Sequence, residues 1–401
     1  MPENTNVESV FDTIVERTNT DSIKYDFFNE YNKPQDAIPM WIADMDFQVP
    51  SAVTSALEAT VSHAVYGYSQ TTQAYDTVLC DWYERRFQWK TQAQWNVQVP
   101  GVMFAVAMAL QVLSQPGESV MICQPVYYPF EKIVKANGRH LVIHELIHAA
   151  EGYVMNWEQF EVQIVSEQVK VFLLCSPHNP VGRVWTKEEL LRMAEICLRH
   201  NVYIVSDEIH SDFVYAPYKH IPLASLGDEI AGHTITCTAP TKTFNLAGLQ
   251  IANIFISDAS LRKRFTLACA ATGYPGSNTM GIVAAKAAYT YGNEWVDALL
   301  LYLQENIRYV QERIRRLPAG IELVQPQGTY LLWLDCRKLG MPDHKLEAFF
   351  LQEAGLWLHN GWTFGKSGSG YMRMNIACPK ATVREAMDRL ERAVMHREGT
   401  K

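Results

Sequence analysis

Ala239-Pro240-Thr241-Lys242-Thr243-Phe244-Asn245-Leu246-Ala247-Gly248 is the stretch on which the reading of this chain turns. It comes after residues 233–237 (HTITC), a short β-rich run of the kind that forms a buried strand. In α/β proteins, ligands gather at the carboxyl ends of such strands. A lysine there, between the hydroxyls of Thr241 and Thr243, suits an imine-forming amine. The amine attacks an aldehyde while the hydroxyls bind a phosphate. Any lone lysine is far more often a solvated loop residue, so the case depends on what surrounds this one.

Outward from that point the same rhythm repeats. Residues 119–123 (SVMIC), 171–175 (VFLLC) and 202–206 (VYIVS) are short and apolar. Between the runs lie helical patterns at 103–114 and 187–200, the second opened by Thr186 with Glu189 three residues on, a capping-box spacing. Strands alternating with helices predict an α/β fold with a largely parallel sheet covered on both faces. Further on, 296–316 and 382–396 read as amphipathic helices and 328–335 (GTYLLWLD) as a strand. We expect a large domain over 51–290. A smaller α+β domain would be built from both ends, 1–50 and 291–401.

Four other polar groups fall where a site would form. Asp207, in Ser206-Asp207-Glu208-Ile209-His210, would pair with a pyridinium nitrogen, or else cap a helix. Asn179, in Ser176-Pro177-His178-Asn179-Pro180-Val181-Gly182, would donate to a phenolate oxygen, or merely belong to a sharp turn. Pro100-Gly101-Val102-Met103 opens an apolar helix whose free N–H groups suit a phosphate, or is a plain glycine start. Arg373, inside the β-like run Tyr371-Met372-Arg373-Met374-Asn375, is costly to bury unpaired. A bidentate grip on a substrate carboxylate is one solution and an internal salt bridge the commoner one. Each signal is weak alone; their order along one chain is not.

Composition narrows the class. Hydrophobic residues make up 48% and charged residues 19% of the 401, as in a folded globular protein. The net charge of -8, with no basic stripe, argues against nucleic acid. No run approaches the roughly 20 apolar residues of a membrane helix, and the polar, acidic start does not read as a signal peptide. Eight cysteines without a C-x-x-C pair read as buried thiols in a reducing cytoplasm. His144-Glu145-Leu146-Ile147-His148 matches the H-E-x-x-H zinc pattern, which needs a helix. The β-rich run His140–Leu146 after Asn137-Gly138 predicts a strand instead, so no metal site is expected.

Taken together these motifs resemble, over nearly the full chain, the fold-type I pyridoxal 5′-phosphate (PLP) enzymes of the class I/II aminotransferase superfamily. More narrowly, the chain is similar to the MalY/PatB-type C–S lyases, or cystathionine β-lyases. The narrower likeness rests on Ile38-Pro39-Met40-Trp41-Ile42-Ala43-Asp44-Met45-Asp46-Phe47, Tyr66-Gly67-Tyr68, the 207–210 run, Lys242 through Gln250, and Arg373-Met374-Asn375 with Cys378-Pro379. The resemblance implies a mostly parallel seven-stranded sheet. It implies that Lys242 binds the cofactor as a Schiff base and shuttles the substrate α-proton, and that Asp207 pairs with the ring nitrogen. Asn179 and His210 would flank the ring oxygen and Tyr127 would stack on the ring. Val102 and Met103 N–H groups with Thr241 would hold the phosphate. Arg373 would bind the substrate carboxylate beside Ala43 and Asn179. Tyr68 would reach the cofactor of a second subunit, so a homodimer is implied.

His210 and Gln250 depart from the superfamily's usual tyrosine and arginine, which favours the lyase subgroup. The implied activity is α,β-elimination from L-cystathionine or a related cysteine S-conjugate. An aminotransferase is the nearest rival, and a regulatory protein-binding role on the same fold is a rival of another class.

Overall fold

The computed structural model describes residues 7–150, 152–318 and 320–399. Its centre is a seven-stranded sheet: β1 (Asn96–Val99), β2 (Ser119–Gln124), β3 (His140–Glu145), β4 (Val169–Cys175), β5 (Tyr203–Asp207), β6 (Thr234–Thr238) and β7 (Ala252–Phe255), in the order β1-β7-β6-β5-β4-β2-β3. The pairs from β3 across to β6 are all parallel; β7 runs antiparallel to both its neighbours. The chain goes from β2 outward to β3 and returns past it to β4. That reversal makes a topological switch point between β2 and β4, where open α/β sheets place their ligands.

The strands read as continuous apolar runs because both faces are covered. Val120, Ile122, Val171, Leu173, Val205 and Ile235 face one layer, while Met121, Cys123, Phe172, Leu174 and Ile204 face the other. The α-helices of eight residues or more among the described residues are α1 (Ser51–His63), α2 (Gln73–Phe87), α3 (Val102–Leu113), α4 (Pro129–Ala136), α5 (Trp157–Ser166), α6 (Lys187–Arg199), α7 (Ala259–Ala271), α8 (Thr279–Tyr291), α9 (Asn293–Arg316) and α10 (Lys380–Gly399). Helix α3 buries Val102, Ala105, Val106, Ala109 and Leu110 against the first layer, and α6 buries Leu190, Met193, Ala194 and Cys197 against the second. The capping box at the start of α6 is formed: Thr186 accepts from the Glu189 N–H at 3.2 Å, and Glu189 accepts from the Thr186 N–H at 2.9 Å.

A second, antiparallel sheet joins β8 (Glu322–Leu323), β9 (Leu331–Asp335), β10 (His359–Asn360) and β11 (Tyr371–Asn375) in the order β8-β9-β11-β10. Ile38–Pro39 pairs in parallel with Leu356–Trp357, which ties the opening segment to the far end of the chain. The strand expected over 328–335 begins three residues late. Thr329 has a left-handed φ of 64°, and Gly328 bridges to Val214 instead of extending the strand. Seven cysteines are buried and Cys80 is partly exposed; all eight are free. Among the described residues, no helix is long and apolar enough to cross a membrane.

Candidate active site

Segments leaving β2, β4, β5 and β6 at their carboxyl ends meet the 41–43 segment and β11 around a cavity of about 340 Å³. Small-ligand sites typically span about 300–1,000 Å³. Its wall includes Ala43, Val102, Met103, Tyr127, Asn179, Asp207, His210, Lys242 and Arg373.

Lys242 is carried on a single helical turn, Pro240–Thr243, which a proline starts. The turn is tied down on both sides. Thr243 Oγ1 donates to Asp212 at 2.8 Å, and Asp212 is paired with Arg86 at 2.9 Å. The Thr243 hydroxyl is therefore committed to the scaffold and is not a phosphate ligand, contrary to the expectation that both flanking hydroxyls serve. Asn245, in left-handed conformation (φ 57°), donates to the Met45 and Phe47 carbonyls and accepts from the Met45 N–H.

That last contact fixes the Trp41–Phe47 run. Asn375 grips the same run from β11, donating at 2.7 Å to the carbonyls of both Ile42 and Asp44. Arg17 bridges Asp44 and Asp46 at 2.6 Å each, and the buried Lys24 adds a second cation on Asp46 at 2.7 Å. So held, the Ala43 carbonyl accepts from Lys242 Nζ at 2.6 Å and from the Tyr330 hydroxyl at 2.9 Å. Burial lowers the Lys242 amine to about 8; Arg373 pushes the same way, while Asp44 and Asp207 oppose.

Asp207 ends β5 and Glu208 turns away from the cavity. Glu208 accepts from Ser206 Oγ and the Leu223 N–H and meets His220 Nε2 at 2.9 Å, anchoring the strand end. Among the described residues the Asp207 carboxylate accepts only the Ile209 N–H, at 3.1 Å, and the chain passes into a turn there, so it caps no helix. Burial raises its carboxyl to about 7 and the neighbouring Glu208 adds to this; the Ile209 N–H and Lys242 oppose. His210 is buried, and among the described residues its Nδ1 has no partner. Burial, then Lys242 and Arg373, hold it down to about 3, so the ring is neutral.

Arg373 is buried in mid-strand, and among the described residues no carboxylate pairs with it. Nη1 donates to Asn179 Oδ1 at 3.0 Å and Nη2 to the Trp41 carbonyl at 2.7 Å; among the described residues Nε has no acceptor. The internal salt bridge is thus not formed, and a buried cation faces the cavity uncompensated. Asn179 is held by a tight loop in which Gly182 has φ +70°. A Cβ at Gly182 would stand 3.2 Å from the Gly328 carbonyl. Tyr127, its hydroxyl pushed by burial up to about 12, presents an aromatic face to the same space. At the opposite wall α3 begins at Gly101 with no side-chain cap, leaving its first N–H groups free. Gly101 is extended and a Cβ there meets no atom within 4 Å, so neither backbone nor packing reserves the position for glycine.

Two expected residues are not in the wall. Thr241 is buried beside Lys242 but does not line the cavity, and Tyr68 is fully exposed elsewhere. Gln250 is also exposed, after the Ala247–Leu249 turn. Trp41, Ile42, Tyr128, Cys175, Ile209 and His359 line the cavity although sequence reasoning assigned them no role. Trp41 and Ile42 stand inside the Ile38–Phe47 run, whereas a lone histidine at 359 carries no pattern. The H-E-x-x-H run occupies β3 and a short hairpin strand, Ile147–Ala149. His144 Nδ1 meets Gln163 at 2.7 Å and His148 Nδ1 meets the Tyr371 hydroxyl at 2.9 Å, so each serves its own packing.

The family model for aminotransferase class I and II matches residues 37–390. Cystathionine beta-lyase PatB of Bacillus subtilis is 38% identical over 384 residues, 96% of this chain and 99% of that protein. Cystalysin from Treponema denticola, whose crystal structure contains PLP, superposes with a TM-score of 0.93 at 34% identity, over 96% of this chain and 98% of that one. A PLP-bound putative aminotransferase from Clostridium difficile has a TM-score of 0.91 at 39% identity, over 96% and 99%. With the fold, the cavity and these likenesses in agreement, the chain belongs to the aminotransferase class I and II family.

Proposed function

We propose that this protein is a PLP-dependent C–S β-lyase that cleaves L-cystathionine or related cysteine S-conjugates to a thiol, pyruvate and ammonia. The observation that carries the reading is the convergence of Lys242, Asp207 and Arg373 on one cavity, each without the partner its charge would need.

That donor set fits the cofactor. A buried carboxylate held at about 7 gains from a ring N–H⁺, which would restore its charge and satisfy it. The free N–H groups of Val102 and Met103 suit a phosphate. Tyr127 offers a face to an aromatic ring, and neutral His210 and Asn179 offer polar atoms at its edge. When bound, PLP supplies an electron sink conjugated to the substrate's amino group.

The chain's own residues do the rest. Lys242 anchors the cofactor, and an amine at about 8 is well matched to take and return the proton on Cα near neutral pH. Arg373 binds the α-carboxylate, oriented by Asn179 and the Trp41 carbonyl and helped by the Ala43 backbone. With Cα deprotonated, the Cβ–S bond breaks and sulfur leaves as thiolate. The three-carbon fragment then takes up one water and yields pyruvate and ammonia. Tyr68 completes the phosphate site of a second copy. In support, every residue from 61 to 70 is exposed, including Val61, Val65, Tyr66 and Tyr68, an apolar stretch that a homodimer would cover. The buried free thiols fit a reducing compartment, the cytoplasm.

Pyruvate release from L-cystathionine is the test. The wild-type holoenzyme is expected to release it at least about a thousandfold faster than Lys242→Ala. Equal rates would overturn the reading. The likeness to a protein described as a putative aminotransferase favours a second reading on the same residues. It would show as amino-group transfer that needs a 2-oxo acid and releases no pyruvate from the thioether.

A further inference from the structure

The active cavity adjoins a second one. Trp41, Tyr128 and His359 line both. The outer space, about 710 Å³, has aromatic walls: Trp41 and Trp357 stack at 4.6 Å with 10° between their planes. Its charges do not balance. Glu347 is bonded to Lys33 at 2.7 Å. Glu131 is bonded to Lys135 at 2.6 Å and accepts from Gln124 at 3.1 Å. Lys132 only rests over the Tyr128 ring, at 4.9 Å, and neither it nor Lys366 meets a carboxylate among the described residues. Both acids of the wall are engaged, and two lysines are left over.

Arg373, the α-carboxylate ligand of the proposed reaction, bonds the Trp41 carbonyl and approaches His359, both of the shared wall. The inner 340 Å³ must also hold the cofactor, which leaves little room beyond the substrate's sulfur. We propose that the outer cavity is the leaving-group subsite, and that Lys132 and Lys366 select thiol fragments that carry a carboxylate of their own. This rests on the lyase reading. Low-dielectric aromatic walls focus the field of the two lysines, so they discriminate between leaving groups more than they tighten binding overall.

The test uses holoenzyme and two pairs of matched length. S-(3-carboxypropyl)-L-cysteine and S-butyl-L-cysteine are followed by pyruvate release, and their uncleavable carbon analogues, L-2-aminosuberate and L-2-aminooctanoate, by calorimetric binding. The wild type is expected to prefer the carboxylated member of each pair, less so at high salt. Lys132→Ala/Lys366→Ala is expected to lose about tenfold of that preference, and Lys132→Arg/Lys366→Arg to keep it. An unchanged preference in the alanine variant, or none in the wild type, overturns the proposal. If the analogues show the preference but neither thioether yields pyruvate, the lyase reading fails and the subsite stands.

Discussion

Asp207 offers a test that needs no substrate. Its native carboxyl is raised to about 7, whereas an unfolded aspartate ionises near 3.9. Between those values the unfolded chain loses the proton and the native chain keeps it. Stability is therefore lost as pH rises through that window. In cofactor-free protein, Asp207→Asn should gain stability over the wild type progressively from pH 4 to 7 and level off above, reaching about 2–4 kcal/mol. Denaturant melts across that range read it, and pH profiles that run parallel would contradict it. The residues most legible from sequence were those whose chemistry is costly in their setting: Arg373 inside an apolar strand, Asp207 at a strand end, Lys242 between hydroxyls. His359 was not legible, because a single histidine in a two-residue strand announces nothing until Trp41 and Arg373 are seen beside it. The role of Thr243 was misread for the same reason, since its partner Asp212 lies 31 residues away in sequence.

Elements were readable where one local rule dominated. The strands β2, β4, β5 and β6 fell within two residues of expectation because apolar runs covered on both faces leave little ambiguity. Helix α6 began where Thr186 and Glu189 said it would. Thr186→Ala removes that side-chain acceptor far from the cavity. It should cost about 1 kcal/mol, seen as a lowered Tm, with kcat for the thioether unchanged. A fall in kcat without a fall in Tm would mean the cap is coupled to the site. What no local rule gave was the clamp on the 41–47 run. Asn245 and Asn375 hold it from segments some 200 and 330 residues away, through contacts that exist only in the folded chain.

For the protein taken entire, Ile38–Pro39 pairs with Leu356–Trp357, and the site draws on both of these regions as well as on the main sheet. In the proposed homodimer the fully exposed Tyr68 would be received by the other subunit. Mixing Tyr68→Ala with Lys242→Ala, each nearly inactive alone, should therefore restore activity. Random reassortment gives one intact site in half the dimers, about a quarter of wild-type activity. No recovery on mixing would place Tyr68 outside the catalytic unit. Most directly of all, the holoenzyme can be reduced with borohydride, digested and mapped by mass spectrometry. Its yellow band near about 420 nm is expected to disappear, and the pyridoxyl group to be found on the peptide containing Lys242. A pyridoxyl group on another lysine, or on none, would contradict the assignment of Lys242 as the cofactor's anchor.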